Sequence, residues 1–205
     1  MKLLIVDDHA VVRQGVCRLL SSLSGISIYE AASAAEALGL FRTHRPNVVL
    51  LDLNLVNSSG FELLRRLLLE DRAVRVLVLS MHAEPVYVAH ALKAGARGYV
   101  SKSAAADELV TAIRQVAQGG RYIEREIASQ LVFAQYSADD PLQQLSTREV
   151  DILRLLGEGK SLAAIAQTLG VTYKTIANSC SAIKGKLGLE RTADLIRLTF
   201  ELRSR

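Results

Sequence analysis

Five short β-rich runs within the first 120 residues, each followed by an amphipathic stretch, constrain this chain more than any other feature. The runs are Lys2–Val6, Ile26–Ala31, Asn47–Asp52, Val74–Ser80 and Gly98–Val100, and helical periodicity fills residues 10–23, 34–44, 60–70, 85–94 and 104–118. Several runs are almost wholly apolar, which suits strands whose sheet is covered on both faces. The alternation predicts a doubly wound α/β domain built on a five-stranded parallel sheet. Such sheets collect their chemistry in the crevice at the carboxyl ends of the strands. Here those ends carry Asp7 and Asp8, Asp52, Ser80 and Lys102, whereas the second strand ends without comparable chemistry.

The pattern changes at Gly119-Gly120-Arg121. A short amphipathic segment, Arg125–Gln135, leads into the turn-prone run Tyr136-Ser137-Ala138-Asp139-Asp140-Pro141, and no strand pattern follows. Helical segments are predicted near 147–158, 161–169, 173–187 and 191–202, with Thr147 or Ser146, Ser161 and Thr172 as N-caps. The expected organisation is an α/β domain over 1–120, a linker with a short helix over 121–141, and an all-α domain over 142–205. Charge follows the same division. Residues 142–205 hold 10 Lys+Arg against 6 Asp+Glu, a balance suited to a polyanionic partner. The longest apolar runs are too short to span a bilayer, and two acids follow closely on the N-terminus, so neither membrane nor secretory signal is expected. Cys17 and Cys180 are too distant in sequence to suggest a metal or redox pair and read as reduced thiols of a cytoplasmic protein.

The polar strand ends suit phosphoryl acceptance. An aspartate can attack phosphorus if a divalent cation neutralises the accumulating charge, and magnesium favours hard oxygen ligands. Asp7, Asp8 and Asp52 supply carboxylates, and Asn54, two residues on, can add its backbone carbonyl. Lys102 can neutralise a phosphate oxygen and the Ser80 hydroxyl can bond to one. An Asp after a strand is often only a helix cap, and Tyr99 by itself suits sheet packing. Asp52, flanked by Val48-Val49-Leu50-Leu51, is too costly to bury as a purely structural charge.

The run Leu4-Ile5-Val6-Asp7-Asp8-His9, with Leu50-Leu51-Asp52-Leu53, Val78-Leu79-Ser80 and Gly98-Tyr99-Val100-Ser101-Lys102, resembles the receiver domain of two-component response regulators. That resemblance implies a flavodoxin-like fold, phosphorylation of Asp52 by a histidine kinase, and Mg2+ held by Asp7, Asp8 and Asp52. It also implies a switch in which Ser80 and Tyr99 reorient together and alter the face formed by the fourth helix, fifth strand and fifth helix. Many receivers have proline after the lysine, where this chain has Ser103, which leaves the geometry of the Lys102–Ser103 peptide open.

In the last third, Leu145-Ser146-Thr147-Arg148-Glu149-Val150, Gly157-Glu158-Gly159-Lys160-Ser161-Leu162 and Ile165-Ala166-Gln167-Thr168-Leu169-Gly170-Val171-Thr172 form a helix-turn-helix pattern. In the third helix, Ile176, Cys180, Ile183 and Leu187 make one apolar stripe. The order of motifs resembles the LuxR-type DNA-binding domain, joined to a receiver as in the NarL/FixJ family. The resemblance implies promoter DNA as a partner, a homodimer when phosphorylated, and transcriptional control. It places Lys174, Thr175, Ala177, Asn178, Ser181, Lys184 and Lys186 at the DNA. Family members commonly carry basic residues near Ala177 and Ser181 and a histidine near Ser179. Their absence removes bidentate guanine readout there and leaves Asn178 for adenine and Ala177 for a thymine methyl, with the lysines on phosphates. Few cations on this helix predict a modest salt dependence. The acidic residues Glu124, Glu126, Asp139 and Asp140 suit a linker that lets the domains separate.

Two other classes are compatible with parts of the pattern. A recognition face so sparse in basic residues suits a receiver-controlled protein-interaction module. An aspartyl-phosphate phosphatase needs a second acid two residues after its nucleophile, where this chain has Asn54.

Overall fold

The computed structural model describes residues 1–21, 25–56, 58–136 and 141–203. Its N-terminal part alternates β1 (Lys2–Val6), α1 (Ala10–Ser21), β2 (Ser27–Ala31), α2 (Ala34–His44), β3 (Val48–Leu51), α3 (Gly60–Glu70), β4 (Arg75–Ser80), α4 (Pro85–Lys93), β5 (Gly98–Ser101) and α5 (Ala106–Ala117). All strands pair in parallel, in the order β2-β1-β3-β4-β5-β6. The sixth strand, β6 (Tyr122–Ile123), extends the expected five-stranded sheet. Two residues carry no periodic signal, so only their pairing with Gly98 and Tyr99 reveals them.

Alternation along the strands sorts the core into two layers. Leu4, Val6, Val49, Leu51, Val76 and Val78 face one side with Phe41 of α2, Leu64 and Leu67 of α3, and Val88 and Ala91 of α4. Leu3, Ile5, Val48, Leu50, Leu77 and Leu79 face the other with Val16 and Leu20 of α1 and Ile113 and Val116 of α5. Both faces are covered, which is why the strands read as continuous apolar runs.

The segment after the sheet is more than a linker. Helix α6 (Arg125–Tyr136) packs against α4, and Ile127 lies in the first of the two core layers, with Leu131 against it. Glu124, read from sequence as part of an acidic linker, is buried, and its carboxylate accepts the Ser101 N–H at 2.6 Å. Asp139 and Asp140 lie outside the described residues.

A 3-10 turn over 141–144 precedes α7 (Thr147–Gly157), α8 (Leu162–Thr168), α9 (Tyr173–Leu187) and α10 (Thr192–Arg203). Ser146, Ser161 and Thr172 cap the first three, and Glu149 returns the Ser146 bond to complete a capping box. Gly157 lets α7 and α10 approach closely, since a Cβ there would meet Thr199 Cβ at 2.8 Å. No helix among the described residues is long and apolar enough to cross a membrane.

The two units share a core. Val86 and Tyr87 of α4 belong to the hydrophobic cluster built by Leu145, Val150, Leu153, Ile165, Ile176 and Ile183. The C-terminal helices thus dock through α7 on the first turn of α4.

Candidate functional site

Strand register builds the crevice. Val6 pairs with Leu51, so Asp7 and Asp52 leave the sheet side by side. Ser80 pairs with Ser101, which delivers Lys102 to the same edge. There the Lys102 ammonium lies 2.6 Å from Asp52 Oδ2 and 2.7 Å from Asp7 Oδ2. No described peptide is cis, so Lys102 makes this reach through a trans bond to Ser103. The side chains of Asp52 and Asp7 are 1% and 3% exposed. Asn54 N–H donates to Asp52 Oδ1 at 3.0 Å, Val56 N–H to Asp8 Oδ2 at 2.8 Å, and Arg13 to the Asp7 carbonyl at 2.6 Å. Gly60 is required beneath this loop, because a Cβ would stand 2.4 Å from Leu53 Cα and 2.7 Å from the Asp52 carbonyl oxygen.

Two buried carboxylates share one ammonium. Burial raises the Asp52 pKa against the pull of Lys102, and Asp7 adds to the rise. Burial alone would lower Lys102, but the Asp52 and Asp7 carboxylates override it and raise its pKa. Donor atoms of Asp7, Asp8, His9 and Asp52 lie within 4.8 Å of one another. Asp7 Oδ2 and Asp8 Oδ1 are buried and accept no hydrogen bond of good geometry, although Lys102 and His9 Nδ1 each approach to 2.7 Å. An oxygen-rich cluster with surplus negative charge fits a hard divalent cation. His9, beside the expected acids, was not singled out from sequence because a histidine following two acids has no periodic signature.

Behind the crevice, Ser80 Oγ accepts the His82 N–H at 3.2 Å and Tyr99 donates its hydroxyl to the His82 carbonyl at 2.5 Å. Ser80 and Tyr99 are both fully buried, and burial pushes the Tyr99 phenol up. The two expected switch residues therefore converge on one residue, His82, that sequence did not single out.

His82 leads into the C-terminal unit. Its ring lies 3.5 Å from Glu84 and 3.6 Å from Glu158, the C-cap of α7. Burial would raise Glu158, but His82, Arg154 and Lys160 hold its carboxyl down to about 2. Burial would likewise lower His82, yet Glu158 and Glu84 raise it. Arg154, with a side chain 0% exposed, binds Asp151 at 2.8 Å, Glu158, and Asn54 Oδ1 at 2.5 Å. Asp151 in turn accepts the hydroxyl of Ser59, which also caps α3. His90 Nδ1 meets Thr147 Oγ1 at 3.2 Å. The contacts between the two units, Glu158 with His82, Arg154 with Asn54, Asp151 with Ser59 and Thr147 with His90, were not foreseen, since they join residues about 60 to 100 positions apart.

At the other end of the molecule, α9 buries Ile176, Cys180 and Ile183 and exposes Lys174, Thr175, Asn178, Ser181 and Lys186, with Ala177 and Lys184 half-buried. Several of the expected contact groups are spent internally. The Thr175 hydroxyl meets that of Thr172 at 2.9 Å, and Ser181 bonds back to the Ala177 carbonyl. Lys184 donates to the Glu190 carbonyl at 3.0 Å, and Lys186 to Glu149 at 2.7 Å and the Gln144 carbonyl at 3.3 Å. Tyr173, 58% exposed at the first turn, adds an aromatic that sequence did not single out.

Residues 3–114 match the response regulator receiver domain family, and residues 143–199 match the bacterial regulatory proteins of the luxR family. The transcriptional activator protein ExaE of Pseudomonas putida is 37% identical, over 98% of this chain and 96% of its own. The response regulator UvrY of Escherichia coli K12 is 34% identical, over 97% and 93%. Among solved structures, RcsB of Salmonella typhimurium superposes with a TM-score of 0.82 at 23% identity, covering 98% of both chains, a likeness of fold. The chain belongs to the two-component response regulators of the NarL/FixJ family, a receiver domain joined to a LuxR-type helix-turn-helix DNA-binding domain.

Proposed function

We propose that Asp52 accepts a phosphoryl group from a histidine kinase and that its occupancy controls promoter binding by the helix-turn-helix. One observation carries the reading: a buried Asp52 carboxylate on Lys102, with its donor atom within 4.8 Å of those of Asp7 and Asp8. The carboxylates of Asp7, Asp8 and Asp52 and the Asn54 backbone carbonyl would hold Mg2+. When bound, it supplies charge neutralisation for the attacking carboxylate and the phosphoryl oxygens. Lys102 then shifts from the carboxylates to a phosphoryl oxygen. The Ser80 hydroxyl turns toward another, releasing the His82 N–H, and Tyr99 follows because it holds the same residue.

The functional division is a receiver over 1–120 and a DNA-binding unit over 142–205, with 121–141 between them; the packing of Ile127 ties α6 to the receiver. At the DNA, Asn178 reads adenine, Ala177 contacts a thymine methyl, and Thr175 and Ser181 lie alongside. Lys174 meets a phosphate directly, while Lys184 and Lys186 must first leave their internal partners. The phosphorylated chain acts as a homodimer in the cytoplasm. ExaE is a transcriptional activator, and one RcsB structure holds promoter DNA with a phosphomimetic, which supports the same use of this architecture.

The experiment is incubation with acetyl phosphate and Mg2+, followed by intact mass. Wild type gains one phosphoryl group and Asp52→Ala gains none; unlabelled wild type or a fully labelled variant overturns the reading. The internal pairing of Lys184 and Lys186 favours the protein-interaction module as a second reading. An anisotropy titration of the full chain with promoter fragments decides between them, since saturable, salt-dependent binding belongs only to the first.

A further inference from the structure

The loop that follows Asp52 is held from outside the receiver. Its first anchor is the Asn54 carboxamide, whose oxygen accepts from Arg154 of α7 at 2.5 Å. Its second is Ser59, which donates to Asp151 of the same helix. Between them, Val56 N–H binds Asp8, which ties this part of the loop to the acidic cluster. Arg154 is a rigid fixture rather than a flexible arm: it is fully buried and forked between Asp151 and Glu158. Asn54 joins the two ends of this chain of contacts, because its own N–H bonds Asp52.

We infer that Arg154 of the DNA-binding domain is a positioning residue for phosphoryl transfer at Asp52, acting through the Asn54 side chain to slow entry of the phosphoryl group. The inference rests on the phosphoacceptor reading above. In the transfer from acetyl phosphate, an Asp52 carboxylate oxygen attacks phosphorus, the bond from phosphorus to the acetyl oxygen breaks, and acetate leaves with the electron pair. The donor must line up with a carboxylate that is 1% exposed, and Asn54, bonded to Asp52 through its N–H and to Arg154 through its side chain, must yield to admit it. Pinning Asn54 to an immobile guanidinium removes the freedom that this approach needs. Docking of the C-terminal helices on α4 then bears on the input site directly, in addition to any effect on the output.

The test is a double-mutant cycle on the full-length chain, with the rate of labelling by acetyl phosphate and Mg2+ read by time-resolved intact mass. Removing the charge at Arg154 would strand Asp151 and Glu158, so Arg154→Lys is used, which keeps the cation but cannot fork to three partners. Asn54→Ala keeps the backbone N–H and carbonyl and removes only the carboxamide. Each single variant should label at least threefold faster than wild type, and the double variant no faster than either single one. An Asn54→Ala rate equal to wild type overturns the inference even where Arg154→Lys fails to fold. Multiplying effects in the double variant overturn it too, because two independent structural losses combine in that way. Wild type that takes no phosphoryl group at all removes the phosphoacceptor reading, whereas labelled wild type with a multiplicative cycle removes only this inference.

Discussion

The crevice around Asp52 and the exposed face of α9 hold charge in opposite ways. In the crevice, Asp7, Asp52 and Lys102 come from three loops and meet with almost no solvent, so each ionised group depends on the others. On α9, the polar groups come from one helix and face water, and the two lysines near its end are engaged by Glu149 and the Glu190 carbonyl. A buried cluster is preorganised and costly to disturb, whereas an exposed face is inexpensive to alter and acts mainly through what it meets. The input of this regulator is therefore bound up with its folding, and its output is nearly separable from it.

The largest effect should come from Lys102→Ala, which leaves two buried carboxylates without a counter-ion. Urea unfolding at neutral pH without divalent metal should lose on the order of 3–5 kcal/mol, and millimolar Mg2+ should restore part of it. A loss below about 1 kcal/mol would place the crevice in the same class as the surface of α9. Asn178→Ala should sharpen the contrast from the other side. Its stability should stay within about 0.5 kcal/mol of wild type, while discrimination at one adenine falls by about 1–3 kcal/mol in anisotropy titrations of base-substituted promoters. The smallest effect belongs to Lys186→Ala, whose pair with Glu149 is part-exposed and contributes about 0–1 kcal/mol to folding. If Lys186 exchanges Glu149 for a phosphate on binding, the log–log salt slope should fall by about 0.9; an unchanged slope leaves it as a strut within the domain.

Much of this was legible in one dimension. The apolar strand runs required a covered parallel sheet, and parallel pairing brings every strand's carboxyl end to one edge, so Asp7, Asp52, Ser80 and Lys102 could be grouped without coordinates. Helix α9 could be read in the same way, because Ile176, Cys180 and Ile183 recur at helical spacing and leave Lys174 and Asn178 on the other side. Strand β6 escaped because two residues have no period, and the buried role of Glu124 escaped because a single acid before a helix looks like solvated surface.

Sequence by itself determined the elements, their order, and which residues share an edge or a face, because these depend on local periodicity and on the geometry of parallel sheets. Only the tertiary structure decided that α7 docks on α4, that Arg154 reaches Asn54, and that His82 links Ser80 and Tyr99 to Glu158. Those contacts join side chains from separate units, and their partners are set by how two surfaces fit together. No residue spacing along the chain encodes that fit.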